Sequence, residues 1–134
     1  MSDVIGSRQI HAGSKNLVIQ IQGQSEERNF EGGWRKVFHM SELPHKANYL
    51  KVDSISFAIA DGLEVQVAWS NCESIDPLCP LMGRGKLDWN DVGGAQCFMD
   101  KNLEEIVISV AGEAKNDLPC FLIIMDMSLH QGAL

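Results

Sequence analysis

The sequence lacks a long hydrophobic run. Its longest spans residues 120–125, far short of the ~20 residues that a membrane-spanning helix needs. The first eight residues also lack the basic start and apolar stretch of a secretory signal. We therefore expect a soluble protein that is made in a cytosol and does not insert into a membrane.

Basic side chains are also scarce. The chain has 11 Lys and Arg against 18 Asp and Glu, giving a net charge of −7. Nucleic acids and anionic membranes are both bound through clustered Lys and Arg, so we expect neither as a partner. Many of the acidic residues fall in predicted loops, which indicates a dispersed surface charge and a partner that is another protein.

Patterns that carry catalysis or bind metal are missing as well. There is no Gly-x-Ser-x-Gly elbow and no phosphate loop. The four histidines form no pair at metal-ligand spacing, and His39 and His45 are interpreted as ordinary polar residues. Asp126 lies inside an apolar run, either where that face becomes solvent-exposed or as a paired charge at an interface. We expect no enzyme activity, no catalytic residues, no metal and no cofactor.

The four cysteines leave three interpretations open. They are Cys72, Cys79, Cys97 and Cys120, and six residues lie between the first two. That spacing is not the tight pair of a structural zinc site. A zinc site and a Cys72–Cys79 bridge are the lesser alternatives, and four free thiols in a reducing compartment are favoured.

What the sequence does have is strand patterning. Hydrophobic residues make up 45% of the 134 residues and alternate with polar ones in short segments. The predicted strands are residues 17–22, 34–40, 50–59, 63–69, 86–89, 105–111 and 119–129. About seven or eight strands at this spacing predict an all-β fold, a single β-sandwich or jelly roll. Residues 1–15 are predicted to form a flexible or partner-bound arm, residues 16–130 the sandwich, and residues 131–134 a tail.

Three local patterns give sharper predictions. The apolar parity changes at Asp53-Ser54, which indicates a β-bulge or a bend in the strand. The segment from Ala60 to Gly62 predicts a three-residue hairpin loop with Gly62 in a left-handed conformation and Ile59 opposite Leu63. Residues 70–102 are predicted to be mostly loop.

The last strand is apolar on both faces at its centre, where Leu122 and Ile124 interrupt the polar side. Such a strand is central in its sheet or is covered by a subunit interface. Among the tryptophans, Trp69 continues a core stripe. Trp34 and Trp89 are open between core positions and an exposed aromatic platform.

The order of these elements resembles a group of small β-rich structural proteins of tailed bacteriophages. The resemblance spans residues 13–129 and lies in loose strand patterns, among them Leu17-Val18-Ile19-Gln20-Ile21 and Gly83-Arg84-Gly85-Lys86-Leu87-Asp88-Trp89. It implies a capsid decoration or cement protein, made in the host cytoplasm and located on the capsid surface of the virion. Such proteins bind the major capsid protein, are commonly homo-oligomeric, often trimers, and carry no enzyme activity.

Two alternatives remain beside this hypothesis. One is a carbohydrate-binding β-sandwich module that uses exposed tryptophans, and the other is a small hydrolase with an unassigned carboxylate pair. The candidate protein-interface residues are Ile5, Ile10, Trp34, Trp89, Leu122 and Ile124.

Overall fold

The computed structural model describes residues 4–12, 16–25, 30, 32–39, 49–70, 75–89, 95–96, 105–115 and 120–130. Ten strands lie in these ranges: β1 Val4–Ala12, β2 Asn16–Gln24, β3 Arg35–His39, β4 Tyr49–Ile59, β5 Leu63–Ser70, β6 Ile75–Leu81, β7 Arg84–Asp88, β8 Ala95–Gln96, β9 Glu105–Gly112 and β10 Cys120–His130. The prediction of an all-β sandwich is confirmed. The described ranges include no helix long and apolar enough to cross a membrane.

The strands form two antiparallel sheets. Sheet A has the order β1-β2-β10-β4-β7, with β8 paired to β4, and sheet B has the order β3-β9-β5-β6. Setting β1 and β8 aside leaves two four-stranded sheets, and most sequential connections cross from one sheet to the other. This strand order is that of a jelly roll rather than of an immunoglobulin-like sandwich.

The core lies between the two sheets and follows from the alternation in the sequence. On β10 the odd-numbered residues from Phe121 to Leu129 are buried, and Ile123, Met125 and Met127 are fully so. Strand β5 turns Leu63, Val65, Val67 and Trp69 toward them from the other sheet. The prediction that Trp69 is a core residue is therefore confirmed.

The turn between β4 and β5 has the predicted conformation but a different role. The Leu63 N–H donates to the Ala60 carbonyl at 3.1 Å, and Gly62 has φ 93°. However, β4 belongs to sheet A and β5 to sheet B, so the predicted hairpin pairing of Ile59 with Leu63 is wrong. Alternation predicts which face of a strand is apolar. It does not predict pairing, because the apolar faces of β4 and β5 point into the same core whether the two strands are neighbours in one sheet or lie in opposite sheets.

Residues 70–102 contain more strand than predicted. They hold β6, β7 and β8, and β6 includes Pro77 and Pro80. Proline cannot donate to a strand ladder and is tolerated at sheet edges, and β6 is an edge strand of sheet B. The prolines that indicated a loop in the sequence therefore mark an edge.

The predicted bulge in β4 is confirmed. Asp126 on β10 pairs with Ser54, whereas the next residue, Met127, pairs with Val52. Asp53 is thus the extra residue, and its insertion moves the apolar side chains from one parity to the other while both sets stay buried.

The segment predicted as an arm forms, over residues 4–12, the edge strand β1 of sheet A. It pairs with β2 from Val4 to Ala12. Ile5 packs against the core, and the Ser7 hydroxyl donates to the Val37 carbonyl of β3. These contacts attach a polar segment that, on composition alone, gave no strand signal.

Candidate functional site

The outer surface of sheet A is the side of its strands that points away from the core. Strand pairing arranges its side chains in rows that run across all five strands. We call two adjacent rows the docking face: Gly6, Gln22, Leu122, Ala58 and Arg84, and Arg8, Gln20, Ile124, Ser56 and Lys86.

The centre of the docking face is apolar. Leu122 is 39% exposed and Ile124 is half-buried, and both lie on β10, the middle strand of the sheet. Gln20, Gln22 and Ser56 surround them on the neighbouring strands. No charged side chain of the two rows therefore lies next to the apolar centre.

The rim of the docking face is basic. Arg8 lies on β1 at one side of the sheet, and Arg84 and Lys86 lie on β7 at the other side. All three are exposed, and they contrast with the net charge of −7 of the whole chain. One row further along, Asp126 on β10 and Asp88 on β7 are also exposed, so the basic charge is confined to the ends of the two rows. The position of Asp126 agrees with the solvent-exposed alternative.

A chain of side-chain hydrogen bonds holds one side of the face in place. The Arg8 guanidinium donates to Gln20 Oε1 at 3.2 Å, and Gln20 Nε2 donates to Gln22 Oε1 at 2.9 Å. These bonds run from the rim along the strand beside β10. Long side chains ordered before binding lose less conformational entropy when a partner docks.

A depression of ≈ 300 Å³ adjoins the apolar centre. Its lining includes Val4, Gly6, Gln22, Cys120 and Leu122. The depression is open at Gly6, because no atom lies within 4 Å of the position that a Cβ would occupy there. The depression therefore offers room for a partner side chain beside Leu122.

The structure brings together only some of the predicted interface residues. Leu122 and Ile124 are neighbours on the docking face, and Ile10, 50% exposed, lies on its edge strand β1. Ile5 instead points inward and packs against the core.

The two open tryptophans lie at opposite edges of the sandwich. Trp34 precedes β3, which contacts β1 through Val37 and Ser7. Trp89 follows β7 at the far edge of sheet A, where its side chain is half-buried against the core. Its backbone N–H donates to the Asp53 carbonyl at 2.9 Å. They therefore form no common aromatic platform.

The sequence interpretation missed the basic rim and Val4, which is 52% exposed. Arg84 and Lys86 share a parity, a strand signal that was visible within the segment predicted as loop. Arg8 lies in the segment predicted as an arm, and only the pairing of β1 shows which side of the sheet it occupies.

The described residues offer two free thiols and no metal-binding cluster. Within the described part of the chain, no three His, Cys, Asp or Glu side chains are grouped so as to hold a metal ion. Cys79 and Cys120 are free thiols, so a Cys72–Cys79 bridge is not formed. Cys72, Cys97 and His45 lie outside the described residues.

The two free thiols are expected to differ in reactivity. Burial raises the pKa of Cys79 to about 11, and the thiolate is the reactive form, whereas Cys120 is exposed. In a variant carrying Cys72→Ser and Cys97→Ser, a thiol reagent at pH 8 should modify Cys120 well before Cys79, as read by mass spectrometry. Equal labelling rates would contradict this assignment.

The pKa of Cys79 also predicts a pH dependence of stability. Because only the unfolded chain ionises Cys79 between pH 9 and 11, the free energy of unfolding should fall across that range.

Comparisons with known proteins give no family. No family model matches the chain, and no curated protein matches it. Among solved structures, the hydroxypropylphosphonic acid epoxidase from S. wedmorenis is 6% identical with a TM-score of 0.32. An FeII form of HppE in complex with substrate gives 6% and 0.33, and a further FeII HppE structure gives 5% and 0.30. The alignments cover 81–82% of this chain, which spans only 42–43% of those chains. Similarity at this level identifies neither an activity nor a ligand.

Proposed function

We propose that this protein is a non-enzymatic structural protein of a bacteriophage virion, which binds the capsid surface through the docking face and stabilises it as a decoration or cement protein. The observation that carries the proposal is the organisation of that face. An apolar centre at Leu122 and Ile124 has neutral side chains on the neighbouring strands, and the charges lie at the ends of the two rows and, as Asp126, one row further along β10.

This organisation fits a protein partner better than the other classes. Protein interfaces are depleted of charge at their centre and polar at their rim. A nucleic acid would need a continuous basic surface, whereas here Arg8 is separated from Arg84 and Lys86 by three strands without basic side chains in these rows. The basic rim also favours acidic groups on the partner, because complementary charges direct association.

The size of the face sets a requirement for attachment. Five strands about 4.8 Å apart and two rows about 7 Å apart cover roughly 24 by 14 Å, or about 330 Å². A stable protein interface buries roughly 800 Å² on each partner. One copy therefore offers less than half of that area, which favours a homo-oligomer that presents several faces at once.

Stabilisation of the capsid would follow from linkage. A protein that binds the assembled shell and not its dissociated subunits shifts the equilibrium toward the shell, by about 2.7 kcal/mol per site at 100 times the dissociation constant. The jelly-roll core of this chain supplies a rigid sheet for that contact, so little ordering entropy is lost on docking.

The test uses capsids that lack this protein. The native chain should bind them stoichiometrically in co-sedimentation and raise their melting temperature. Leu122→Asp places a charge at the apolar centre and should weaken binding by about 2 kcal/mol, roughly 30-fold.

Met82→Asp is the matched control, because Met82 is 64% exposed in the turn between β6 and β7. It should leave binding unchanged. Failure of the native chain to bind capsids, or equal binding by the Leu122→Asp variant, would overturn the proposal.

Carbohydrate binding is a second candidate, carried by one observation. Trp34 is 38% exposed and follows two exposed glycines, so one face of its ring is accessible to a sugar. Binding on a glycan array that is lost in Trp34→Ala and kept in Leu122→Asp would favour this function over capsid attachment.

A further inference from the structure

Three of the four sheet edges carry features that block strand addition. Strand β6 contains Pro77 and Pro80. Strands β3 and β7 have five residues each and carry adjacent or alternating charges. Short strands, prolines and charged side chains are the devices by which natural proteins prevent edge-to-edge pairing.

Strand β1 lacks these three devices, and its irregularity is a bulge at Ile10, between Gln9 and His11, which leaves the segment from Val4 to Gln9 regular. It is nine residues long, contains no proline, and has Arg8 as its one Lys, Arg, Asp or Glu. In the described ranges no strand pairs with its outer side. Its exposed aliphatic residues Val4 and Ile10, 52% and 50% exposed, lie toward its two ends. Such an edge is a template for an added strand.

We propose that a second copy of this chain pairs antiparallel with β1, so that two copies join their A sheets across a twofold axis centred on Ser7. The pairing is isologous, since each β1 is both template and added strand. The proposal specifies the homo-oligomer inferred above as a dimer rather than a trimer, and it rests on the β1 edge rather than on capsid binding.

The sequence of β1 selects this register. With Ser7 opposite Ser7, the regular segment Ile5–Gln9 of each copy pairs with the same segment of the other. Val4 of each copy then faces the bulge at Ile10 of the other, and the two exposed aliphatic residues cover each other twice. Shifting the centre to Arg8 would place the two arginines directly opposite, where like charges repel. Shifting it to Gly6 would leave Ile10 beyond the end of the other β1.

The open space at Gly6 supports the same register. Nothing lies within 4 Å of the position of a Cβ at Gly6, and Arg8 of the second copy lies opposite it. Because Gly6 has no side chain, Arg8 of the second copy meets no steric obstacle there and keeps its hydrogen bond to Gln20 of its own chain.

The dimer also meets the area requirement of the docking face. A twofold axis perpendicular to the joined sheet keeps both outer surfaces on the same side. Two faces of about 330 Å² then present roughly 660 Å², which is within the range that one partner contributes to a standard interface.

The first measurement is the solution mass of the full chain by light scattering after gel filtration. The native protein should have twice the mass of one chain. Val4→Lys and Ile10→Lys each place a charge in the proposed contact, and each should raise the dimer dissociation constant at least about tenfold. Met82→Lys, at an equally exposed position in the β6–β7 turn, should remain dimeric.

The second measurement tests the register. In a background carrying Cys72→Ser, Cys97→Ser and Cys120→Ser, the double variant with Val4→Cys and Ile10→Cys should form a covalent dimer on mild oxidation, and either substitution alone should not. Arg8→Cys should not cross-link, because that would require a pairing centred on residue 8.

The outcomes separate this inference from the capsid proposal. A monomeric or trimeric native protein, lysine variants that stay dimeric, or a cross-link through Arg8→Cys would overturn it. The Leu122→Asp variant should stay dimeric, so loss of capsid binding there tests the docking face alone.

Discussion

Replacing Gly62 with alanine is expected to lower the free energy of unfolding by about 3 kcal/mol, with two independent causes. Gly62 has φ 93°, a conformation that costs a residue with a side chain roughly 1–2 kcal/mol. The added methyl group would also overlap the carbonyl oxygen of Glu113, and overpacking of this kind costs typically 1–3 kcal/mol.

The overlap cannot relax easily because two turns lock together at this end of the sandwich. The Lys115 N–H donates to the Asp61 carbonyl at 2.9 Å. Gly112, with φ 92°, approaches the Gly62 carbonyl so closely that a Cβ there would overlap it. Moving either turn away would break the hydrogen bond between them.

Urea denaturation of Gly62→Ala beside two matched controls separates the causes. Gly83 has φ 68° but open space around its Cβ position, so Gly83→Ala should lose about 1 kcal/mol from the backbone alone. Gly32→Ala meets neither obstacle and should be close to neutral. A loss in Gly62→Ala no larger than that in Gly83→Ala would show that the approach of the two turns is unimportant.

This turn shows what the sequence predicts about the fold. The Asp61-Gly62 pair predicts a left-handed glycine, and the apolar stripe predicts the buried face, because both depend on neighbouring residues. Whether β5 pairs with β4 or crosses to sheet B depends on which strands compete for the edge of β4. Those competitors, β7 and β10, are distant in sequence, and no local pattern identifies them.

The candidate site follows the same division. Leu122 and Ile124 could be identified from sequence because they break the alternation of their own strand. The basic rim could not be identified from sequence, because Arg8 lies on β1 and Arg84 and Lys86 lie on β7, more than 70 residues later in the chain. The pairing of β2, β10 and β4 between these two strands places all three side chains on one face. The prolines of β6 and the polar composition of β1 also concealed two edge strands.

The jelly roll itself does not select among functions, since capsid proteins, lectins and enzymes share it. The inference about function therefore depends on side chains that the fold does not need. An apolar side chain at an exposed position, such as that of Leu122, contributes little to the core. Its contribution to stability and to binding can be separated by comparison with its neighbour Ile123.

Ile123→Ala and Leu122→Ala should differ in stability by several kcal/mol although the two residues are adjacent on β10. Ile123 is fully buried and is part of the core cluster, so its truncation should lower the free energy of unfolding by 2–5 kcal/mol. Leu122 is 39% exposed on the other side of the strand, and its truncation should cost about 0.5 kcal/mol or less.

The binding assay should give the opposite order. At a temperature where both variants are folded, as checked by circular dichroism, Leu122→Ala should bind capsids more weakly than the native chain, because it loses apolar contact at the centre of the docking face. Ile123→Ala should bind with native affinity, since its side chain points away from that face. If Leu122→Ala were instead as destabilising as Ile123→Ala, Leu122 would be a folding residue, and its exposed apolar side chain would no longer require a partner to explain it.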